Sequence, residues 1–265
     1  MSGPGTGPGA GTGAPPSPLA MVAIETATES VGVAVRSPAG LEAEFALTGR
    51  RRHVETLTPA LEHLLAQVGL VPGDLGVVAV DVGPGLFTGL RVGVAAAKGL
   101  AQSLGLGVVG ATSLDILTAA AGAAGHDGLV LACVDARRGE VFASVRPAPG
   151  PLVGDPASHA AGRRGERLAA SLHTPEGLAA ALRAVDATDV LAVGDGAIRY
   201  ADTLASVPGV TVVTSALSFP PPRVLLDLAA ARLGAGEVPA APASVVPLYM
   251  RAADATSNFE RAARS

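Results

Sequence analysis

The residues with the clearest chemical potential follow a short apolar strand predicted over Val77 to Val80. The run Asp81-Val-Gly-Pro-Gly-Leu-Phe-Thr-Gly89 turns from that strand into a helix. Gly83 and Gly85 permit a positive φ or a close backbone approach, and Thr88 can cap the helix. The first amides of such a helix can bind an anion or a carboxylate. The run lacks the Lys-Ser/Thr pair of a P-loop and the last glycine of the dinucleotide fingerprint, so both nucleotide sites are disfavoured.

Two further polar segments have residue types that can act on a nucleotide. The turn Glu25-Thr-Ala-Thr28 offers a carboxylate and two hydroxyls, which can coordinate magnesium and phosphate oxygens. Gly194-Asp-Gly196 follows another apolar strand. The candidate nucleotide-binding residues are therefore Glu25, Thr28, Gly194, Asp195 and Gly196. The alternative, which we favour for the first turn, is an ordinary hairpin turn whose threonine hydroxyls satisfy the backbone.

Patterns that would bind a metal are missing from the sequence. Its 5 histidines are His53, His63, His126, His159 and His173, and no two of them are three or four residues apart. That spacing would place two ligands on one helix face. The single cysteine, Cys133, lies in an apolar strand and can form neither an internal disulfide nor a cysteine-rich zinc site. We interpret Cys133 as a buried apolar residue of a reduced, cytoplasmic protein, and we predict no metal, no cofactor and no catalytic residue.

Composition predicts a globular protein with a sizeable aliphatic core. The chain has 265 residues, of which 49% are hydrophobic and only 3% aromatic, and its net charge is −4. That charge opposes strong unaided binding to nucleic acid. We interpret Arg50-Arg-Arg52 and the turn Asp135-Ala-Arg-Arg-Gly-Glu140 as hydrated surface, with contact to phosphates, to a partner or across a cleft as the alternative. No window of about 18 apolar residues predicts a membrane span, and residues 1–18 read as a flexible tail.

The elements that position these residues form two similar halves, each beginning with strand, polar turn and strand. Helices are predicted over Val54 to Val68, Gly89 to Leu104, from Ser113, over Pro175 to Val185 and over Val224 to Leu233. Strands are predicted over Leu19 to Ile24, Val31 to Val35, Leu41 to Leu47, Val77 to Val80, Gly107 to Gly110, Leu129 to Val134, Glu140 to Val145, Val190 to Val193 and Val210 to Val213. This pattern predicts an α/β fold with two related lobes and mixed sheets. The expected boundaries are a tail 1–18, lobes 19–125 and 126–219, and a C-terminal helix and tail 220–265 that return toward the first lobe.

The helices predicted over Val54 to Val68 and Gly89 to Leu104 carry more apolar residues than a simple surface helix needs. On the second helix, small residues recur at four-residue steps on one side, so a helix of another molecule can approach closely there. The alternative is packing of this side against the chain's own sheet. The candidate interface residues are Val54, Leu57, Leu61, Gly89, Leu90, Gly93, Val94 and Ala97.

Three segments in this order resemble the bacterial TsaB family. They are Ile24-Glu-Thr-Ala-Thr28, Gly83-Pro-Gly-Leu-Phe-Thr-Gly-Leu-Arg-Val-Gly93 with Lys98-Gly-Leu-Ala101, and Val134-Asp-Ala-Arg-Arg-Gly-Glu-Val141. A fourth, weaker match is Pro247-Leu-Tyr-Met-Arg251. The resemblance implies an actin-like ATPase (ASKHA) fold. It also implies a subunit of the machinery that puts a threonylcarbamoyl group on the adenosine beside the tRNA anticodon.

The resemblance further implies the partners of the chain. In the catalytic paralogue, TsaD, two histidines four residues apart bind a metal, and the corresponding positions here are Ser113 and Leu117. Leucine cannot ligate a metal, so the chain is interpreted as a non-catalytic sister that pairs with TsaD through the two apolar helices and activates it. A TsaE-like ATPase would dock on the pair, tRNA would be met only through the complex, and the chain alone could form a homodimer.

Two enzymatic alternatives stay open at this point. One is a small-molecule kinase or ATPase of the same fold that uses the candidate nucleotide-binding residues. The other is a peptidase, which has little support because the sequence offers neither a metal pair nor an arranged nucleophile.

Overall fold

The structure is a computed structural model that describes residues 19–49, 53–150, 165–185, 188–213 and 217–251. The tail predicted over residues 1–18 and the arginines at positions 50–52 lie outside these ranges. Among the helices described, none is both long and apolar enough to cross a lipid bilayer.

Five strands form the first sheet. They are β1 (Ala20–Glu25), β2 (Ser30–Arg36), β3 (Glu42–Thr48), β4 (Leu75–Asp81) and β5 (Val108–Ala111). The strand order is β3-β2-β1-β4-β5, with β1 to β3 antiparallel and β4 and β5 parallel to β1. Every residue of β1 is buried, because helices cover both faces of the sheet.

The second sheet repeats this arrangement. Its strands are β6 (Leu129–Arg137), β7 (Glu140–Pro147), β8 (Leu168–His173), β9 (Val190–Val193) and β10 (Val210–Val212). Their order, β10-β9-β6-β7-β8, matches the first sheet, with β6 to β8 antiparallel and β9 and β10 parallel to β6. The predicted α/β fold with two related mixed sheets is therefore confirmed. Strand β8 was not predicted, because its small residues alternate weakly and pairing with β7 is what makes it a strand.

Seven helices are assigned among the described residues. They are α1 (His53–Gln67), α2 (Phe87–Leu104), α3 (Ser113–Ala123), α4 (Pro175–Ala184), α5 (Asp195–Arg199), α6 (Ala201–Ala205) and α7 (Pro222–Gly234). Helices α1 and α2 pack on one face of the first sheet, while α3 and α7 pack on the other. Helix α7 crosses β1 and β2, where a Cβ at Gly32 would lie 2.9 Å from Cγ of Pro222. The domain boundaries at positions 125 and 219 stay predictions.

The small residues of α2 that were predicted to form an open face lie instead on the side of the helix that is buried against the sheet. Gly93 is buried against β1, and a Cβ there would lie 2.2 Å from Oγ1 of Thr26 and 3.6 Å from Cγ2 of Ile24. Gly89 and Ala97 are buried on the same side, so these small residues allow α2 to pack closely against the chain's own sheet. The hypothesis that a partner helix approaches along them is wrong, because the space is already filled.

A buried ion-pair cluster ties α3 to the second sheet. Asp115, in the first turn of α3, contacts Arg146 of β7 at 2.5 Å and Arg232 of α7 at 3.3 Å. Arg232 also donates to the carbonyl oxygen of Gly110 at 2.5 Å. Burial alone would raise the pKa of Asp115, but the charge and hydrogen bond of Arg146, together with Arg232, hold that pKa below its ordinary value. One carboxylate therefore joins three elements.

We expect opposite effects from two Gly→Ala substitutions on α2. Gly93→Ala should lower the free energy of unfolding by about 1–3 kcal/mol, because the new methyl overlaps the Thr26 hydroxyl. Gly99→Ala is the matched control, since a Cβ at Gly99 meets open space. It should raise the free energy of unfolding by about 0.5–1 kcal/mol through helix propensity. Denaturant unfolding measures both, and equal effects would contradict the described packing of α2.

Asp115→Asn should destabilise the fold by about 3 kcal/mol or more at neutral pH, because it leaves two arginines partly buried without a counter-charge. The matched control is Asp202→Asn on an exposed position of α6, where we expect a change within about 0.5 kcal/mol. Because the pKa of Asp115 is lowered in the folded protein, its contribution is present above the ordinary value of 3.8 and is lost on acidification. A wild type and a variant of equal stability at neutral pH would show that the cluster is neutral to folding.

Candidate functional site

The sequence-predicted polar residues lie on turns and loops at the strand ends of both sheets, and we call this region the junction. The turn after β1, the loop after β4, the hairpin between β6 and β7 and the start of α5 all contribute to this junction. Arg137 of the β6–β7 hairpin forms an ion pair with Glu29 of the β1–β2 turn. Asp135 binds the same arginine at 3.1 Å. The ion pair between Arg137 and Glu29 therefore links the β6–β7 hairpin to the β1–β2 turn.

The turn Glu25-Thr-Ala-Thr28 is fully buried, and its side chains form hydrogen bonds within the chain except at Oε2 of Glu25, which has no partner among the described residues. Oε1 of Glu25 accepts from the Ala27 amide at 2.8 Å, and the Thr28 hydroxyl accepts from the Ser30 amide at 3.2 Å. The Thr26 hydroxyl donates to the carbonyl oxygen of Gly89 at 2.8 Å. The turn thus holds the start of α2 in place.

The glycine loop after β4 lies directly on this turn. Gly83 has φ +102, and a Cβ at Gly85 would lie 2.1 Å from the carbonyl oxygen of Ala27. The next amide, that of Leu86, donates to the same oxygen at 2.6 Å. Only glycine permits so close an approach. Helix α2 begins at Phe87 with Leu86 as its uncapped N-cap, so the prediction that Thr88 caps the helix is wrong.

The segment Gly194-Asp-Gly196 also serves the chain's own packing. A Cβ at Gly194 would lie 2.1 Å from the carbonyl oxygen of Cys133, and one at Gly196 would lie 2.8 Å from the carbonyl carbon of Val134. Oδ1 of Asp195 accepts from the Asp135 amide at 3.0 Å. These glycines make room for β6. The geometry does not support the hypothesis that they hold a nucleotide with Glu25 and Thr28.

Three carboxyl groups at the junction have raised pKa values. Burial raises the pKa of Asp81 to about 7, although its Oδ1 accepts from the Gly83 amide at 2.7 Å and the Ser113 hydroxyl at 2.9 Å. Burial raises the pKa of Asp195 to about 6. Burial and then the nearby charge of Asp81 raise the pKa of Glu25 well above its ordinary value. Burial thus favours the neutral form of each of these three carboxyl groups more than water does.

The turn from Asp135 to Glu140 is more than a hydrated hairpin tip. Arg137 reaches across the cleft to Glu29, while Arg251 donates to the carbonyl oxygen of Ala136 at 3.0 Å and pairs with Glu140. The tip of the turn, Arg138 and Gly139, is exposed as our preferred interpretation expected, and Arg137 also makes the polar contact across the cleft that the alternative expected. The signal was available in the sequence as two cations and two anions in six residues.

The positions that correspond to metal ligands in the paralogue have structural roles here. Ser113 is buried and donates to Asp81, and Leu117 lies in the core, where a Cβ at Gly194 would lie 3.0 Å from its Cδ1. Within the described ranges, no three histidine, cysteine, aspartate or glutamate side chains are arranged to hold a metal. Cys133 is buried, and burial raises the pKa of its thiol.

The eight candidate interface residues are divided between core and surface. Leu57, Gly89, Leu90, Gly93, Val94 and Ala97 are buried against the first sheet. Val54 is 70% exposed and Leu61 is half-buried. The outward side of α2 instead carries Val92, Ala95, Ala96 and Gly99, which are exposed or half-buried. The small-residue face that is open to another molecule is therefore rotated from the predicted one.

An aromatic cluster marks one end of this outward face. The Arg91 guanidinium lies 3.7 Å from the centroid of the Phe87 ring, and Nε of Arg91 is 3.1 Å from the Tyr249 hydroxyl oxygen. The two rings are 5.3 Å apart and both are nearly half exposed. Lys98 donates to the carbonyl oxygen of Val245 at 3.0 Å, so the C-terminal segment runs along α2. Sequence reasoning missed this cluster, since Tyr249 is 158 residues from Arg91.

Comparisons with known proteins agree with this architecture. Residues 45–259 match a family model described as TsaD, tRNA N6-adenosine threonylcarbamoyltransferase. Over 124 residues the chain is 36% identical to the tRNA threonylcarbamoyladenosine biosynthesis protein TsaB of Bacillus subtilis and 38% identical to that of Escherichia coli. The alignments cover 47% and 46% of this chain and 53% and 52% of those proteins. The chain thus spans about half the length of the curated relatives it matches.

A solved structure extends the likeness over most of the chain. A Pseudomonas aeruginosa protein described as similar to peptidase YeaZ superimposes with a TM-score of 0.70 at 26% identity, covering 88% of this chain and 100% of that one. A second structure, YeaZ from the same organism, covers 87% and 99% at the same TM-score. The expected actin-like ATPase type of fold is confirmed. The chain belongs to the family of the tRNA N6-adenosine threonylcarbamoyltransferase TsaD, and within that family it belongs with TsaB.

Proposed function

We propose that this chain is a non-catalytic subunit in the formation of threonylcarbamoyladenosine in tRNA, and that it pairs with and activates a metal-dependent TsaD-like transferase. The name of its TsaB relatives supports the pathway. A TsaE-like ATPase docks on the assembled pair and tRNA is met through the complex, two steps that rest on the family resemblance. The buried single cysteine fits the reducing cytoplasm in which we place the subunit.

The non-catalytic assignment is supported chiefly by the surroundings of Ser113 and Leu117, the two positions that correspond to metal ligands in the paralogue. The Ser113 hydroxyl donates a hydrogen bond to Asp81, and Leu117 is fully buried among core side chains. Neither position faces an open site. The nucleotide-binding alternative has no comparable support, because the turn after β1 and the glycines before α5 are filled by their own chain.

The surface that fits pairing is the outward side of α1 and α2. Its small residues Ala95 and Gly99 lie four positions apart, and a Cβ at Gly99 meets nothing within 4 Å. Such a face allows two helices to pack closely. The family model of TsaD matches this chain from residue 45 onward, which includes both helices. The paralogue is therefore expected to contain helices equivalent to α1 and α2. A pairing in which both subunits use these helices would resemble an isologous interface.

Ala95→Trp tests this surface. The indole should overlap the incoming helix and weaken binding to the TsaD-like paralogue by at least about tenfold, which corresponds to about 1.4 kcal/mol. The melting temperature of the isolated chain should change little, because residue 95 is exposed. Ala180→Trp on α4 is the matched control, since it places the same side chain on an exposed helix position of the second lobe.

Binding is measured by titration calorimetry with the paralogue from the same organism. Ala95→Trp and Ala180→Trp with equal, wild-type affinity would remove the outward side of α2 from the interface. Equal loss in both would point to a general effect of the bulky side chain and would also count against this surface.

Reconstitution tests the function itself. The purified chain alone should form no threonylcarbamoyladenosine and bind no stoichiometric transition metal, whereas its addition to the paralogue and the ATPase subunit should raise product formation many-fold. Mass spectrometry of tRNA nucleosides measures the product. Transfer by a paralogue-free sample would contradict the proposal. A rise in the melting temperature of the lone chain with MgATP would instead favour the kinase or ATPase alternative.

A further inference from the structure

Glu25 and Asp81 stand side by side at the ends of two neighbouring strands. Strands β1 and β4 are parallel, and their register pairs Ile24 with Val80. The next residue on each strand is the carboxylate, so the two side chains follow at the same level of the sheet. Glu25 is 0% exposed and Asp81 is 1% exposed.

Each carboxyl group uses one oxygen and leaves the other without a partner. Oε1 of Glu25 accepts from the Ala27 amide, and Oδ1 of Asp81 accepts from the Gly83 amide and the Ser113 hydroxyl. Oε2 of Glu25 and Oδ2 of Asp81 are buried and make no hydrogen bond. Two adjacent carboxylates that both carry a charge would be strongly destabilised here, because burial removes the bulk solvation of each charge and the two charges repel.

Among the described residues, the charged groups that act most strongly on the pair are carboxylates. Asp195 at the start of α5 faces Glu25, and Asp115 on α3 faces Asp81, so both neighbours add negative charge. Arg137 on the β6–β7 hairpin is engaged by Glu29 and Asp135. Arg146 and Arg232 are engaged by Asp115. The surroundings therefore favour a proton on the pair.

We propose that Glu25 and Asp81 share one proton, held as a hydrogen bond between their two otherwise unpartnered oxygens. One carboxyl group is the donor and the other, ionised group is the acceptor. The proton is thus a structural ligand that joins the turn after β1 to the loop after β4. Because those two segments also meet at Ala27 and Gly85, loss of the proton loosens the support beneath the start of α2.

The sign of the pH effect follows from the direction of the shifts. In the folded protein the pKa of Asp81 is raised from an ordinary value of 3.8 to about 7, and that of Glu25 is raised as well. The folded state therefore holds more protons than the unfolded state between those values, and stability falls as pH rises through this window. It levels off above the folded pKa, where both states have lost the proton.

Three variants separate a shared proton from other arrangements. Asp81→Asn and Glu25→Gln each supply one permanent N–H donor to the remaining carboxylate. Each single variant should therefore melt at or above the wild-type temperature at about pH 8 and lose the fall in melting temperature between about pH 5 and pH 8. The double variant brings two amide groups together without a charged acceptor, and it should melt below both single variants. Asp202→Asn, on an exposed position, is the matched control and should keep the wild-type pH profile.

Infrared spectroscopy gives a readout that stability does not. The difference spectrum between wild type and Asp81→Asn at neutral pH should contain the carbonyl band of one protonated carboxylic acid, and that band should disappear at alkaline pH. Hydrogen exchange of the Leu86 amide, corrected for its intrinsic rate, should become faster over the same range in the wild type alone, since this amide binds the Ala27 carbonyl.

Each remaining outcome overturns the shared proton. Single amide variants that melt below the wild type at every pH would show two independent carboxylates. A double variant as stable as the single ones would show that both groups are protonated. If magnesium ions raise the melting temperature of the wild type but not of Asp81→Asn, the pair holds a cation and no proton.

Discussion

The structure depends on two places where backbone packs directly on backbone. Gly85 lies on the carbonyl group of Ala27, and Gly194 lies on that of Cys133, at distances that no side chain would allow. The first contact fixes the start of α2 against β1, and the second fixes α5 against β6. In each lobe a helix that follows a parallel strand is thereby held at the carboxyl end of the central strand. The two related lobes share this construction.

These same contacts lie in the turns at the carboxyl ends of the central strands. At the carboxyl ends of strands in an α/β fold, glycine-rich turns commonly leave amides free for a phosphate. Here the turn after β1 binds the loop after β4, and Glu25 turns inward. The chain has the outline of a nucleotide-binding fold, but its polar turns serve its own packing. The outward side of α2, by contrast, remains exposed at Ala95 and Gly99.

Charge at the lobe junction is balanced in two different ways. On one side Asp115 is neutralised by Arg146 and Arg232, so its carboxyl group stays ionised. On the other side Glu25 and Asp81 have no cationic partner, and burial favours their protonated forms. Acidification therefore weakens the first arrangement and strengthens the second. The junction is consequently expected to be most stable between a pH near the ordinary aspartate pKa of 3.8 and neutral pH.

The two-lobe α/β fold was predictable from the sequence, as were most helices and strands to within two residues. Apolar periodicity and the glycine motifs are local signals, and they are read along the chain. The open side of α2 is visible only in the packed molecule, because the spacing of Gly89, Gly93 and Ala97 is the same whether a partner or β1 packs against them. The tertiary structure also decided the pairing of Glu25 with Asp81, since two carboxylates 56 positions apart become neighbours only through the register of β1 and β4.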